Sequence, residues 1–389
     1  MTQPATVAFH QPLFENKIPV TRPAALDWEA LAETFKSVLT SGVVTKGPHL
    51  RAFEAAVAEE LGVRHGVAVS SGTAGLMLTY QALDLSGEVI VPSFTFMATV
   101  SALIWANLTP VFADIDYRTR NIDTAAAERA ITPRTSAIVA VHNGGNPADV
   151  NELVTLAQRH GLKIIFDAAH AFGSRYQGCA IGSQGDAHVF SLSPTKLVMA
   201  GEGGLVATND KDLAQRIRVG REYGNRGDYD SEFAGINARL PELNAVLALH
   251  SLAQLQSAVR HRNQIASLYE DQLSKIPGIG FQTIRTGNIN SYKDFAITVD
   301  SAQFGITRDE LATALAADNI ESRTYFDPPV HRQFAYRRYA PLDGALVNTD
   351  RISSTILDLP IWSDMDPDIA SKICVAIKRA HELAPAIRG

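Results

Sequence analysis

Four short stretches of this 389-residue chain hold residues whose types could do chemistry together. In SLSPTKLVMAGEGGLV, residues 191–206, Lys196 stands between a Ser/Pro/Thr turn and an apolar run. A lysine in a half-buried turn loses part of its ammonium form and becomes a nucleophilic amine, whereas a surface lysine needs no such setting. In LKIIFDAAHAFG an apolar strand ends on Asp167, with His170 close behind. A carboxylate there can hold the cationic nitrogen of a heterocycle, a metal or a catalytic water, or simply cap a helix. VAVSSGTAGLMLTYQAL places Ser71, Gly72 and Thr73 where a strand gives way to a helix. The free amides and hydroxyls of such a turn suit a phosphate and equally suit a plain N-cap. In PSFTFMATVSALIWA, Phe96 opens a helix after another strand, and its ring can stack on a flat cofactor or pack into the core.

Each stretch alone is weak; together they supply a phosphate cup, a stacking face, an acid for a pyridinium nitrogen and an amine. Those are the requirements of pyridoxal phosphate, which binds to lysine as a Schiff base. The acid keeps the ring nitrogen protonated, and the freed lysine can carry a proton between substrate and cofactor carbons.

The elements that must position these residues follow from the pattern of apolar positions. Between about residues 66 and 209, short β-branched runs (GVAVS, EVIVP, PVFADI, TSAIVAVH, LKIIFDA, AHVFSL, GLVATN) alternate with helical stretches in the βαβ manner. This predicts a doubly wound α/β sheet with its ligand site beyond the carboxyl ends of the strands. Earlier, DWEALAETFKSVL and PHLRAFEAAVAEELG read as helices, the second with Pro48 in its first turn and Gly62 as its stop. A long helical run through PELNAVLALHSLAQLQSAVRHRNQIASLYEDQL follows the polar stretch GREYGNRGDYDSEFAGINAR. Beyond Pro277 the pattern mixes a strand DFAITVD, a helix TRDELATALAADN, a strand ESRTYF and a last helix DPDIASKICVAIKRAHEL. We divide the chain into a large domain, 1–255 with the amino-terminal segment included, and a small α+β domain, 256–389.

Composition excludes several classes. A net charge of −6 with 20% charged and 46% hydrophobic residues points to neither nucleic acid nor an anionic membrane. Cys179 and Cys374 lie far apart without metal-ligand spacing, so neither a disulfide framework nor a metal site is expected, and a reducing cytoplasm fits. The first twenty residues lack the basic-then-apolar pattern of a secretory signal, and no run reaches membrane-spanning length.

The stretches SGVVTKGPHLRAFEAAVAEELG, VSSGTAGL, EVIVPSFTFMATVSAL, VHNGGNPAD, FDAAHAFGSRYQG, GDAHVFSLSPTK, GEGGLVATND and GINARLPELNAVLAL occur in one order from about residue 40 to 255. In that series the chain resembles the DegT-type nucleotide-sugar aminotransferases among the fold-type I, aspartate-aminotransferase-like pyridoxal phosphate enzymes. The resemblance implies that Lys196 forms the Schiff base, Asp167 pairs with the pyridine nitrogen, His170 sits at the ring hydroxyl and Phe96 stacks on the ring. It further implies that Gly72, Thr73 and Ser191 hold the phosphate, with Ser71 in the same turn, and that Asn237 of GINAR reaches in from the partner of a homodimer. His331 in DPPVH matches a region that contacts the sugar nucleotide in the family. Arg221, Tyr223 and Arg226 are further candidate substrate contacts, unless their stretch is only a solvated loop. Gln is frequent in the family where His170 stands, and His is found in members that aminate C-4 of deoxysugars. The expected reaction is therefore transfer of an amino group from L-glutamate to a nucleotide-linked 4-keto-6-deoxyhexose, for antibiotic or surface-glycan biosynthesis. A 3-keto sugar, a keto-cyclitol and a non-catalytic cofactor-binding regulator are the alternatives.

Overall fold

Seven of the apolar runs form one sheet. The computed structural model describes residues 11–23, 26–341, 344 and 346–384; residues 1–10, half of the stretch scanned for a signal, lie outside it. The strands are β1 (His65–Val69), β2 (Glu88–Pro92), β3 (Thr109–Ala113), β4 (Thr135–Val141), β5 (Lys163–Asp167), then a hairpin β6 (Arg175–Tyr176) and β7 (Cys179–Ala180), followed by β8 (Ala187–Ser191) and β9 (Gly204–Thr208). The large sheet has the order β1-β9-β8-β5-β4-β2-β3. Only β9 runs against its neighbours, pairing antiparallel with both β1 and β8, while the pairs from β8 through β3 are parallel.

Alternation along each strand decides what covers the sheet. Ile90, Ile138 and Ala140 belong to one core with Phe53 and Val57 of the helix Pro48–Leu61 and Leu153 of the helix Val150–His160. Their neighbours Val89, Val91, Ala137 and Val139 face the other side, against Leu76 and Leu78 of the helix Gly72–Ala82, Leu103 of the helix Ala98–Trp105 and Ile217 of the helix Lys211–Gly220. Helices therefore cover both faces, as doubly wound strands apolar on both sides require.

A second, antiparallel sheet of β10 (Ile279–Phe281), β11 (Phe295–Val299) and β12 (Ile356–Leu359) forms the carboxyl-terminal core with the helices Arg308–Ala317 and Pro367–Glu382. The long helical run expected after Pro241 breaks at Gln254 into Glu242–Ala253 and Leu255–Leu273. The latter joins the two cores: Leu255 and Val259 pack in the sheet core, Ile265, Tyr269 and Leu273 in the carboxyl-terminal one. Phe14 and Ile18, which the sequence reading groups with the large domain, pack in the carboxyl-terminal core instead, and Ile18 bridges to Ile320. ESRTYF is not a strand. Only Arg323 bridges to Asp358, whose carboxylate takes the Tyr325 N–H at 2.8 Å, and the chain then turns toward Pro328 and Pro329. Among the described residues no helix is long and apolar enough to cross a membrane.

Candidate active site

A cavity of about 380 Å³ opens beyond the carboxyl ends of β5 and β8, where a doubly wound sheet places its ligands. Ser71, Gly72, Thr73, Phe96, Asp167 and His170 line it, as do Ser191 and Lys196. These residues span more than a hundred positions of sequence and meet because β1, β2, β5 and β8 all end at this face.

Asp167 closes β5 and is 6% exposed. Its Oδ2 accepts from Thr99 Oγ1 at 2.7 Å and its Oδ1 from the Ala169 N–H at 3.1 Å. Burial pushes its pKa up, while those two bonds and the nearby Lys196 favour the ionised form. His170 is held by the Gly144 N–H, which donates to Nδ1 at 3.3 Å. That bond assigns the proton to Nε2, and burial together with the Lys196 charge depresses the ring's pKa well below its ordinary value.

Lys196 sits in a turn whose Ala200 N–H donates to Leu192 O at 2.8 Å. The helix Glu242–Ala253 fixes that turn: Ser251 Oγ accepts from Met199 N at 3.0 Å and donates to Leu197 O at 3.1 Å, and Asn244 Nδ2 donates to Ala200 O at 2.7 Å. The lysine keeps some access through the cavity mouth but is surrounded on nearly every side. Burial, and after it the charge of Lys293, bring its pKa from 10.5 down to about 7, against the pull of Asp294, Asp167 and Glu202.

The amino terminus of the helix Gly72–Ala82 faces the cavity and has the form of an anion cup. Ser71 spends its Oγ on capping that helix, accepting from Ala74 N at 3.0 Å. The unpartnered first-turn amides remain for an anion, with the Thr73 hydroxyl and, across the turn, Ser191. The cup is tight: a Cβ on Gly72 would lie 3.3 Å from Ser191 Cβ, and one on Gly204 would collide with the Ser71 carbonyl. Phe96 is 52% exposed, leaving a ring face open at the cavity. An anion cup, an open aromatic face, a buried acid and a buried amine are the donor set that pyridoxal phosphate requires, so the residues present fit it. Among the described residues no group of His, Cys, Asp and Glu is placed to hold a metal ion.

The sequence model of the DegT/DnrJ/EryC1/StrS aminotransferase family matches residues 27–378. The chain belongs to this family. Like the other DegT-type enzymes it is an aminotransferase dependent on pyridoxal phosphate. It is 35% identical over 355 residues to the spore coat polysaccharide biosynthesis protein SpsC of Bacillus subtilis (strain 168), covering 87% of this chain and 91% of that protein. It also superimposes on the crystal structure of DesI solved in the presence of its TDP-sugar product, with a TM-score of 0.90 and 38% identity over 97% of each chain. DesV of S. venezuelae is similar at a TM-score of 0.86 and 35% identity, covering 94% of this chain and 99% of that one. The DegT-type aminotransferase fold predicted from sequence is the one observed.

The residues that sequence motifs assign to substrate lie outside the cavity, and two of them are struts of the fold. Arg221 is 9% exposed and bonds Glu54 and the Ala68 carbonyl, so it ties β1 to its flanking helix. His331 is buried between Ser93 Oγ, 2.7 Å from Nδ1, and Asp350, 3.2 Å from Nε2. Tyr223 is 51% exposed in a separate surface hollow under the Arg239 guanidinium, and Arg226 pairs with Glu232 at the same surface. Asn237 is exposed and lies outside its own chain's cavity.

The cavity also contains residues the motifs do not reveal: Lys293 and Asp294 at the entry to β11, Tyr325 and Phe326 from ESRTYF and its end, and Glu202 at the rim. Thr99, which braces Asp167, belongs to a stretch that reads as an apolar core helix. Its signal is position, since a threonine in the turn after Phe96 is aimed at the end of the neighbouring strands.

Proposed function

We propose that this chain moves an amino group from L-glutamate to the C-4 ketone of a nucleotide-linked 6-deoxyhexose, in the cytoplasm, as one half of a homodimer. The observation that carries the reading is the pairing, in one small cavity, of an amine held near neutrality by burial with a buried carboxylate across from it. Support for a nucleotide sugar as acceptor comes from the 38% identity to DesI, a protein solved with a TDP-sugar product.

Bound pyridoxal phosphate supplies an electron sink for the carbon that loses its proton. Asp167 would hold the ring nitrogen in its protonated state, and Thr99 and the Ala169 amide brace its carboxylate so that it need not reorient. His170, with its proton on Nε2, would be a donor for the ring oxygen of the bound cofactor. Gly72, Thr73 and Ser191 would hold the phosphate, and Phe96 would cover one ring face. Lys196 would hold the cofactor between turnovers and, once released, its amine would serve as the proton carrier; a pKa near 7 suits it both to accept and to give up that proton. Asn237 of GINAR, which is exposed, is the residue that we infer, from the family resemblance, reaches this site from the second copy. Nucleotide and diphosphate lie far from the reacting carbon, so their binding energy positions the ketone.

The test converts the protein to its pyridoxamine form and adds a panel of nucleotide-linked 4-keto and 3-keto sugars and keto-cyclitols. Return of the pyridoxal spectrum with the 4-keto-6-deoxyhexose supports the reading. Return with the 3-keto sugar or the cyclitol alone overturns it.

A further inference from the structure

The cavity holds a second buried lysine that the transamination chemistry above does not use. The Lys293 side chain is 6% exposed, and its Nζ lies 2.6 Å from Asp294 Oδ1 and 5.5 Å above the Tyr325 ring. The backbone here is fixed from behind: the fully buried Arg262 donates from Nη1 to the carbonyls of Tyr292 at 2.8 Å and Lys293 at 3.2 Å. The other Asp294 oxygen stands 3.8 Å from His170 Nδ1, a nitrogen already accepting from Gly144. Asp294 is therefore committed to Lys293. Lys196, by contrast, has no carboxylate within ion-pair distance among the described residues.

We propose that Lys293 is a positioning residue of this site: locked onto Asp294, its ammonium occupies the carboxylate that Lys196 would otherwise pair with and leaves Lys196 an uncharged nucleophile. The proposal rests on the reading of Lys196 as the reacting lysine. The groups that face Lys196 are Lys293, Asp294 and Asp167 inside the cavity, Glu202 at its rim and the neutral ring of His170. Asp167 is braced by Thr99 and Ala169, and Glu202 is exposed to solvent, which screens it. Among the described residues Lys293 is the one cation in the set, and after burial it does most to lower the Lys196 pKa. Remove its charge and two effects run the same way: the repulsion is lost, and Asp294 becomes available to Lys196 as a counter-ion.

The experiment measures the proton affinity of Lys196 itself. Full-length chain freed of cofactor is labelled competitively with trace acetic anhydride across a pH series, and the Lys196 peptide is quantified by mass spectrometry for the parent, Lys293→Met, Lys293→Gln and Lys293→Arg. The midpoint for Lys196 rises by about one unit or more in Lys293→Met, leaving a several-fold smaller fraction of free amine near neutral pH. Lys293→Gln, which can still hydrogen-bond Asp294, moves the same way and serves if the Met variant does not fold. Lys293→Arg keeps the parental midpoint because it keeps the charge. An unmoved midpoint in the Gln or Met variant overturns the proposal, as does an Arg variant that shifts as far as they do. Failure of the underlying reading looks different, since the cofactor would then be found on a lysine other than Lys196 whatever these midpoints are.

Discussion

Replacing Lys196 by methionine should make the cofactor-free chain more stable, and the gain should shrink as pH rises. Burial, and after it the Lys293 charge, hold the folded pKa near 7 against 10.5 for the free group, a difference of about 3.5 units. Below the folded value the ammonium is charged in both states, and the folded state bears the whole cost of burying it. Between the two values folding releases a proton, so parental stability climbs with pH until the cost disappears near the unfolded value. At about 1.4 kcal/mol per unit, the cost below the folded pKa is roughly 5 kcal/mol, and relaxation of the pocket around the ammonium reduces it to about 2 to 5. Methionine is unbranched and only one atom shorter, without the charge, so it removes this cost and little else. Urea unfolding of parent and Lys196→Met, both stripped of cofactor, should show the variant more stable by that amount at about pH 6.5. The advantage should be mostly lost by about pH 10. A variant no more stable than the parent at the lower pH, or an advantage constant with pH, would refute the account of a desolvated amine.

Three further perturbations follow from the same geometry. Thr99→Val removes the 2.7 Å bond to Asp167 Oδ2, which stabilises the carboxylate by about 1.5 to 3 kcal/mol. The Asp167 pKa, already raised by burial, then rises further, and the acid limb of the glutamate half-reaction in stopped-flow should move to higher pH by roughly one to two units; an unmoved limb would show that Thr99 does not brace the acid. Gly204→Ala drives a Cβ into the Ser71 carbonyl, so the phosphate cup must shift, and fluorescence titration should find cofactor affinity lowered about tenfold or more. Glu242 is fully buried and accepts from Gly47 N at 2.9 Å, Leu50 N at 3.0 Å and His49 N at 2.8 Å, capping the helix Pro48–Leu61 from a distance. Glu242→Gln turns one acceptor into a donor facing these amides and should lower unfolding stability by about 1 to 3 kcal/mol, with the cofactor's spectrum unchanged.

Much of the site was legible because its parts are local. SLSPTK and FDAAH each place a functional side chain at the end of an apolar strand, and such a strand in a doubly wound sheet points to the ligand face whatever its partners are. The Ser71–Thr73 turn was legible for the same reason, and the N-cap use read from it is the one Ser71 Oγ takes, while the turn itself still lines the cavity. Lys293 and Asp294 were not legible, because YKDFAITVD reads simply as the approach to a strand and reaches the cavity only through the docking of the carboxyl-terminal core. An adjacent pair of opposite charges immediately before a strand with buried alternate positions was the available signal. Tyr325 and Phe326 are obscured by the β-propensity of ESRTYF, which the anchoring of the Tyr325 N–H on Asp358 overrides. Arg221 and His331 mislead in the opposite sense. The polar stretch around Arg221 and the family resemblance of DPPVH invite substrate roles, but in this chain Glu54 claims the Arg221 side chain, and Ser93 and Asp350 claim that of His331.

The central claim is that Lys196, of the two buried lysines in the cavity, is the one that holds the cofactor. Reduction of the holoenzyme with borohydride followed by peptide mass mapping tests it directly. The account predicts the reduced cofactor on the peptide containing SLSPTK, at Lys196, in every copy that carries it. Reduced cofactor on Lys293, or none on either lysine, would contradict it.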